Sequence, residues 1–245
     1  MDIAGYVLAA LATLIILTIH EYSHAYAAYK LGDNTARSLG RLSLNPIKHL
    51  DIVGALCMVF FHFGWAKPVP INPRNFKKPR RDFAITALAG PLSNVVFAFI
   101  AALLALLSIK LYYGITVENE FVYKLIYNGI QFLCIFCQIN IGIAIFNLIP
   151  VPPLDGSRIL TATLPPKIYF GIMKYERYIY FILIGWLFLG SYVARALLSI
   201  PFVAANPVLS FIAGLFSLSG LLSKLIATVY YAIFDLWQLI PFLQY

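Results

Sequence analysis

Four apolar runs, at residues 3–29, 83–109, 121–149 and 178–200, dominate this chain. Each is long enough to cross a hydrocarbon core as a helix, which takes roughly 20 residues. A soluble domain carries roughly a quarter of its residues charged, whereas here 61% are hydrophobic and only 11% charged, with a mean hydropathy of +0.83. The runs therefore define a multi-pass membrane protein, in which every backbone polar group at depth must be satisfied internally by helices.

The net charge of +8 does not indicate a nucleic-acid partner, because the basic residues cluster between apolar runs. That is where cytoplasmic loops carry their excess of lysine and arginine. Lys30, Arg37, Arg41 and Lys48 follow the first run; Arg74, Lys77, Lys78, Arg80 and Arg81 precede the second; Arg158, Lys167, Lys174 and Arg177 precede the fourth. Glu118 and Glu120 mark the loop after the second run as extracytoplasmic. A cytoplasmic membrane location with several passes is the expectation. The N-terminus opens Met1-Asp2 without a basic region, so no cleaved signal peptide is expected. Three cysteines, Cys57, Cys134 and Cys137, imply no disulfide framework, and Cys134 and Cys137 read as small residues on a membrane helix.

Between the first two basic stretches lies an apolar run of only 13 residues, 52–64. It is too short to span, and its two basic flanks place both ends on one side, so it reads as a re-entrant or interfacial element. Prolines 68, 70, 73 and 79 exclude a regular helix over the following stretch. After Pro207 the chain is apolar but broken by Gly214, Gly220 and Lys224. It reads either as one tilted helix or as a span followed by an interfacial helix with Tyr230, Tyr231 and Trp237 at headgroup level. The expected fold is all-α: a polytopic bundle of about five to six transmembrane helices, with a re-entrant or β-hairpin element near the site, forming a single domain over residues 1–245.

The first run contains His20-Glu21-Tyr22-Ser23-His24. On a helix, positions i and i+4 share a face, so His20 and His24 can offer imidazole nitrogens to one tetrahedral Zn²⁺. Glu21 lies beside that position, where it can take a proton from the attacking water. Ionisable residues inside a membrane helix are costly and are functional by default. Such a site needs a third protein ligand and an open position. Of the ten acidic residues most lie in polar loops, while Asp155 follows the apolar run that ends in Pro150-Val151-Pro152-Pro153. The prolines stop the helix and extend the backbone, and Gly156 allows a turn. The depths of Asp155 and the two histidines match at the cytoplasmic side. Asp155 is the candidate third ligand, the other reading being a helix cap.

The HEYSH run, the GWAKPVPIN segment, AGPLSN and FNLIPVPPLDG together resemble the short site-2 protease family of intramembrane zinc metalloproteases, over roughly residues 5 to 200. The resemblance implies three core helices, one Zn²⁺ held by His20, His24 and Asp155, Glu21 as general base, and a GWAKPVPIN hairpin dipping towards the site. It also implies that Asn147 helps hold substrate or the developing oxyanion. Where the family pattern reads H-x-D-P-x-G, this chain has His49-Leu50-Asp51-Ile52-Val53-Gly54, without the proline. The sequence contains no PDZ or CBS motif, so regulation through one is not expected.

The expected activity is hydrolysis of a peptide bond in or near a membrane protein's transmembrane segment. The substrate would be unwound and paired by β-augmentation against residues 66–73 or the strand from Pro150 to Asp155, which includes Pro153. A metal-binding transporter and a catalytically inert membrane scaffold are the alternatives. Smaller features have local readings: Gly90, Ser93 and Asn94 as close helix packing, Asn140 as an interhelical hydrogen bonder, and His49 with Asp51 as an auxiliary metal pair or a polar surface loop.

Overall fold

The computed structural model describes residues 3–61, 64–114 and 119–243; Met1, Asp2 and Glu118 fall outside them. Its helices are α1 (Ile3–Lys30), α2 (Thr35–Ser38), α3 (Ile52–Phe61), α4 (Pro79–Tyr113), α5 (Glu120–Leu148), α6 (Asp155–Ile159), α7 (Pro166–Met173), α8 (Glu176–Leu198), α9 (Pro201–Ala205), α10 (Pro207–Leu215) and α11 (Leu218–Gln238). Five of them, α1, α4, α5, α8 and α11, are long and apolar enough to cross a membrane. The polarity of the bundle is inverted relative to a soluble protein. Leu92, Val96, Ile100, Leu104 and Leu111 of α4 face outwards, while His20, His24, Thr86, Asn94 and Asn140 are buried. The chain is a multi-pass membrane protein.

The centre of the bundle joins Ala12 and Ile16 of α1, Ala98, Ala101 and Ala102 of α4, Phe136, Cys137 and Ile141 of α5, and Ile233 of α11. Alanines at the crossing let backbones approach closely, the usual basis of helix association in lipid, where apolar burial alone offers little. Cys137 is part of this packing and fully buried, as its reading as a small helix residue requires.

Helix α4 begins at Pro79, inside the proline-rich stretch expected to lack helix. Pro79 occupies the first turn, where a missing N–H costs nothing because that donor has no intrahelical acceptor. Pro91, inside α4, is buried against the bundle, where neighbouring helices accommodate its irregularity. At the end of α1, Gly32 has φ of +110° and the Asp33 N–H returns to the Ala28 carbonyl at 2.9 Å, which closes the helix.

The short apolar run forms α3, whose ten residues extend only about 15 Å. Asp51 receives the Gly54 N–H at 2.8 Å, so it caps this helix and is not paired with His49. His49 is buried with its Nε2 2.7 Å from the Ser43 carbonyl, a structural role in place of an auxiliary metal pair. Among the described residues there is no β-strand; one antiparallel bridge joins Leu50 to Ala66. The 66–72 segment after it runs extended across the end of α1.

Between α8 and α11 the helix is interrupted three times, around Ser199, Asn206 and Phe216. Phe216, between α10 and α11, accepts from Trp186 Nε1 of α8 at 2.9 Å, and Gly190 leaves its carbonyl room. Ser217 caps α11 through the Gly220 N–H. Lys110 near the end of α4 lies over the Phe242 ring at 4.3 Å, so α11 finishes at the end of the bundle where α4 finishes. Tyr230 and Trp237 both pack against the central cluster, and Trp237 Nε1 donates to the Phe99 carbonyl at 3.0 Å.

Candidate metal centre

His20 and His24 lie one turn apart on α1, both buried, with ring centroids 4.6 Å apart and ring planes at 86°. Each ring is oriented from its Nδ1 side. The Asn94 Oδ1 sits 2.7 Å from His20 Nδ1, and the Thr86 carbonyl 2.7 Å from His24 Nδ1. A main-chain carbonyl only accepts, so His24 carries a proton on Nδ1, and in the neutral ring its Nε2 presents a lone pair. The same tautomer suits His20 opposite the amide oxygen of Asn94. These are the outer partners that fix a metal-ligating histidine.

The third group arrives from a different part of the chain. Helix α5 ends at Leu148, the chain turns through Pro150–Pro153 with a cis bond between Pro152 and Pro153, and Asp155 opens α6. Asp155 Oδ2 lies 3.2 Å from His20 Nε2 and 3.2 Å from His24 Nε2, and the two Nε2 atoms are 3.0 Å apart. Asp155 is thus not the helix cap of the other reading. Leu154 holds the cap position, and the carboxylate turns into the bundle.

The donor set fits a zinc ion on chemical grounds. Ligands at about 2.0–2.1 Å from a tetrahedral metal stand about 3.3 Å from one another, close to the 3.0, 3.2 and 3.2 Å observed. Asp155 Oδ2 is buried without a hydrogen-bond partner. Two imidazole lone pairs and a carboxylate oxygen converging in a buried space repel one another, and a cation among them removes that repulsion.

Two glycines make the arrangement possible. A Cβ on Gly90 of α4 would collide with His24 Nε2 and His20 Cε1, so only a bare α4 backbone leaves room for both rings. Gly156 is required for space and not for turn freedom: a Cβ there would strike the carbonyls of Leu148 and Ile149. The expected result for Gly90→Ala is a folded protein whose zinc content, measured by elemental mass spectrometry of the purified protein, falls well below that of wild type. Unchanged zinc would show that the rings have other space.

Glu21, half-buried beside His20, accepts the Val69 N–H on Oε2 at 2.9 Å. Val69 itself is buried against Ala25 and Ala36. The extended segment is therefore tied to the catalytic-looking glutamate by its backbone. The Asn147 side-chain amide donates to the Ile143 carbonyl one turn earlier at 3.1 Å. Asn140 likewise bonds within its own helix, to Phe136 at 2.9 Å, in place of the interhelical bond expected. Pro153 borders an open cleft of about 430 Å³ with Met173, Lys174, Glu176, Arg177 and Tyr180. Asn94 and Gly90, expected as packing residues, belong to the centre. Asn94 and Thr86, which orient the two rings, lie 74 and 62 residues from their histidines, with no local pattern to reveal them.

Comparison with known proteins agrees with this chemistry. Residues 8–189 match the model of peptidase family M50. The chain is 44% identical over 190 residues to "Putative zinc metalloprotease YwhC" of Bacillus subtilis, covering 76% of this chain and 84% of that protein. It is 29% identical over 158 residues to "Putative zinc metalloprotease Rip2" of Mycolicibacterium smegmatis, covering 63% of this chain and 56% of that one. The chain thus spans a little over half the length of this second relative. No solved structure matches. The chain belongs to peptidase family M50, the site-2 proteases, and is a membrane-embedded zinc metalloprotease.

Proposed function

We propose that residues 1–245 form a single domain that cleaves membrane proteins in or near a transmembrane segment. In this reading one Zn²⁺ is held by His20, His24 and Asp155, and Glu21 is the general base. The observation that carries it is the convergence of His20 Nε2, His24 Nε2 and Asp155 Oδ2 within 3.2 Å of one another in the buried interior. In support of one domain, Ile233 of α11 packs with Ala12 and Ile16, although α11 lies beyond the family match.

Zinc bound there supplies the Lewis acidity that lowers the pKa of water towards about 7 and polarises a scissile carbonyl. The protein's own part is proton handling and positioning. Val69 occupies Oε2 of Glu21, which leaves Oε1 to accept the proton of the attacking water and return it to the leaving amine. A helical substrate hides its carbonyls in hydrogen bonds, so it must unwind before attack. The 66–72 segment and the Pro150–Asp155 turn supply edges against which an unwound chain can pair, in the re-entrant hairpin role expected of the GWAKPVPIN region. Asn147 and Pro153 sit where the α5 end and the cleft beside α8 would receive that substrate.

The side of action follows from charge. Basic residues flank α1 at its C-terminal end and α4 at its N-terminal end, which favours a cytoplasmic membrane with the site towards the cytoplasm. A transporter or an inert scaffold is not favoured, since the family is one of peptidases and the ligands and glutamate are all present. Quantitative proteomics of membranes carrying the active chain or its Glu21→Gln variant tests the reading. Membrane proteins should be truncated near a span only with the active chain; identical membrane proteomes would overturn it.

A further inference from the structure

Asp33 is fully buried in the loop just after α1. Its carboxylate is an acceptor hub. Oδ1 receives the Thr35 N–H at 3.0 Å, the Thr35 hydroxyl and the Asn75 side-chain amide at 2.7 Å; Oδ2 receives the Asn72 N–H at 2.7 Å. Burial alone would push this carboxyl up, but the hydrogen bonds from Thr35, Asn72 and Asn75 outweigh it and hold the group below the ordinary carboxylate range. The bonds that Thr35 donates are local to the turn, and its hydroxyl in turn accepts from the Asn75 amide at 3.2 Å. Those from Asn72 and Asn75 reach across 39 and 42 residues and fasten the far end of the extended segment.

The near end of that segment is fastened separately. The Lys67 N–H donates to the His49 carbonyl at 2.8 Å, and Arg41 donates to the Lys67 carbonyl at 2.6 Å. Between the two anchors lies Val69, whose N–H holds Glu21 at 2.9 Å. Pro68, Pro70 and Pro73 carry no N–H and have fixed φ. The segment is thus a stiff bar whose placement depends on its ends. Asp33 belongs to the turn that closes α1, the helix that carries Glu21, so one end of the bar is referenced to the glutamate's own helix.

We infer that Asp33 is a positioning residue for the reaction: through Asn72 and Asn75 it sets the 66–72 bar at the register where Val69 holds Glu21. This rests on Glu21 acting as the base, but the clamp can be tested without that assumption. Asn75→Ala removes the side-chain amide that reaches both Asp33 and Thr35 from just beyond the bar, whereas Tyr29→Phe removes only a bond local to the end of α1, the one Arg37 donates to the Tyr29 hydroxyl at 2.9 Å. In zinc-loaded, purified protein, hydrogen exchange at the amides of Lys67, Val69, Ile71 and Asn72 should rise about tenfold or more in Asn75→Ala and stay at the wild-type rate in Tyr29→Phe. With unfolded casein as probe, Asn75→Ala should lower kcat about ten- to a hundredfold, as expected for a small misplacement of a catalytic group, with KM and zinc content unchanged. Tyr29→Phe should keep wild-type kcat.

Equal effects of the two variants on exchange would reduce Asp33 to a local turn residue and overturn the inference. So would loosened exchange with undiminished kcat. Asp33→Asn places an amide donor among these donors and should exceed Asn75→Ala in both readouts. If that variant does not fold, the Asn75 and Tyr29 pair still decides. A wild-type protein that leaves casein intact would count against the proteolytic reading of Glu21, while the exchange rates judge the clamp alone.

Discussion

Glu21→Gln should leave a folded, zinc-loaded protein that cleaves about 10²–10⁴-fold more slowly than wild type, the range expected when a general base is lost. The substitution is nearly isosteric, and the glutamine oxygen can still accept the Val69 N–H that Glu21 Oε2 accepts now. What is lost is the basic oxygen available to water. Metal analysis and cleavage on the same preparation separate the effects: full zinc with lost turnover is the expected pair of results. Undiminished turnover would remove Glu21 from the proton path, and lost zinc would make it a ligand or a scaffold of the site.

Asp155→Ala should have the other large effect, on the metal itself. It deletes the anionic member of the donor triangle and leaves two imidazoles 3.0 Å apart. Removing an outer-shell partner such as Asn94 typically costs about 10- to 100-fold in metal affinity, and loss of a direct ligand should cost more. Zinc should therefore fall from one per chain to near zero after dialysis against a chelator, with cleavage lost in parallel. The fold should survive, because the backbone of α6 is still seated against Leu148 and Ile149 at Gly156, and Ser157 still donates to Leu154 at 2.7 Å. Retained stoichiometric zinc would contradict the ligand set.

Most of the spans were legible because hydropathy and length are local properties. The first run was expected at 3–29 and α1 covers Ile3–Lys30. His20, Glu21 and His24 were legible because helix geometry fixes the i, i+4 relation, and Asp155 because acidic residues at the end of an apolar run are scarce. The partners that orient these groups were not. Asn94, the Thr86 carbonyl and Gly90 reach the histidines only because α4 packs against α1, and small or polar residues on a membrane helix look alike whether they pack or ligate. Val69 contributes a main-chain N–H, which no side-chain pattern records. Gly156 was expected for its turn and is needed for its lack of volume. The region after α8 left two readings open, since the break at Phe216 is fixed by its contact with Trp186 and Gly190 rather than by a local breaker.

The central claim is a single zinc ion bound by two imidazoles and a carboxylate, and X-ray absorption spectroscopy of the purified, zinc-loaded protein tests it most directly. The expected spectrum has nitrogen and oxygen scatterers at about 2.0–2.2 Å, the multiple-scattering signature of two imidazoles, and no sulfur. A sulfur shell at about 2.3 Å, or a single imidazole, would contradict the account.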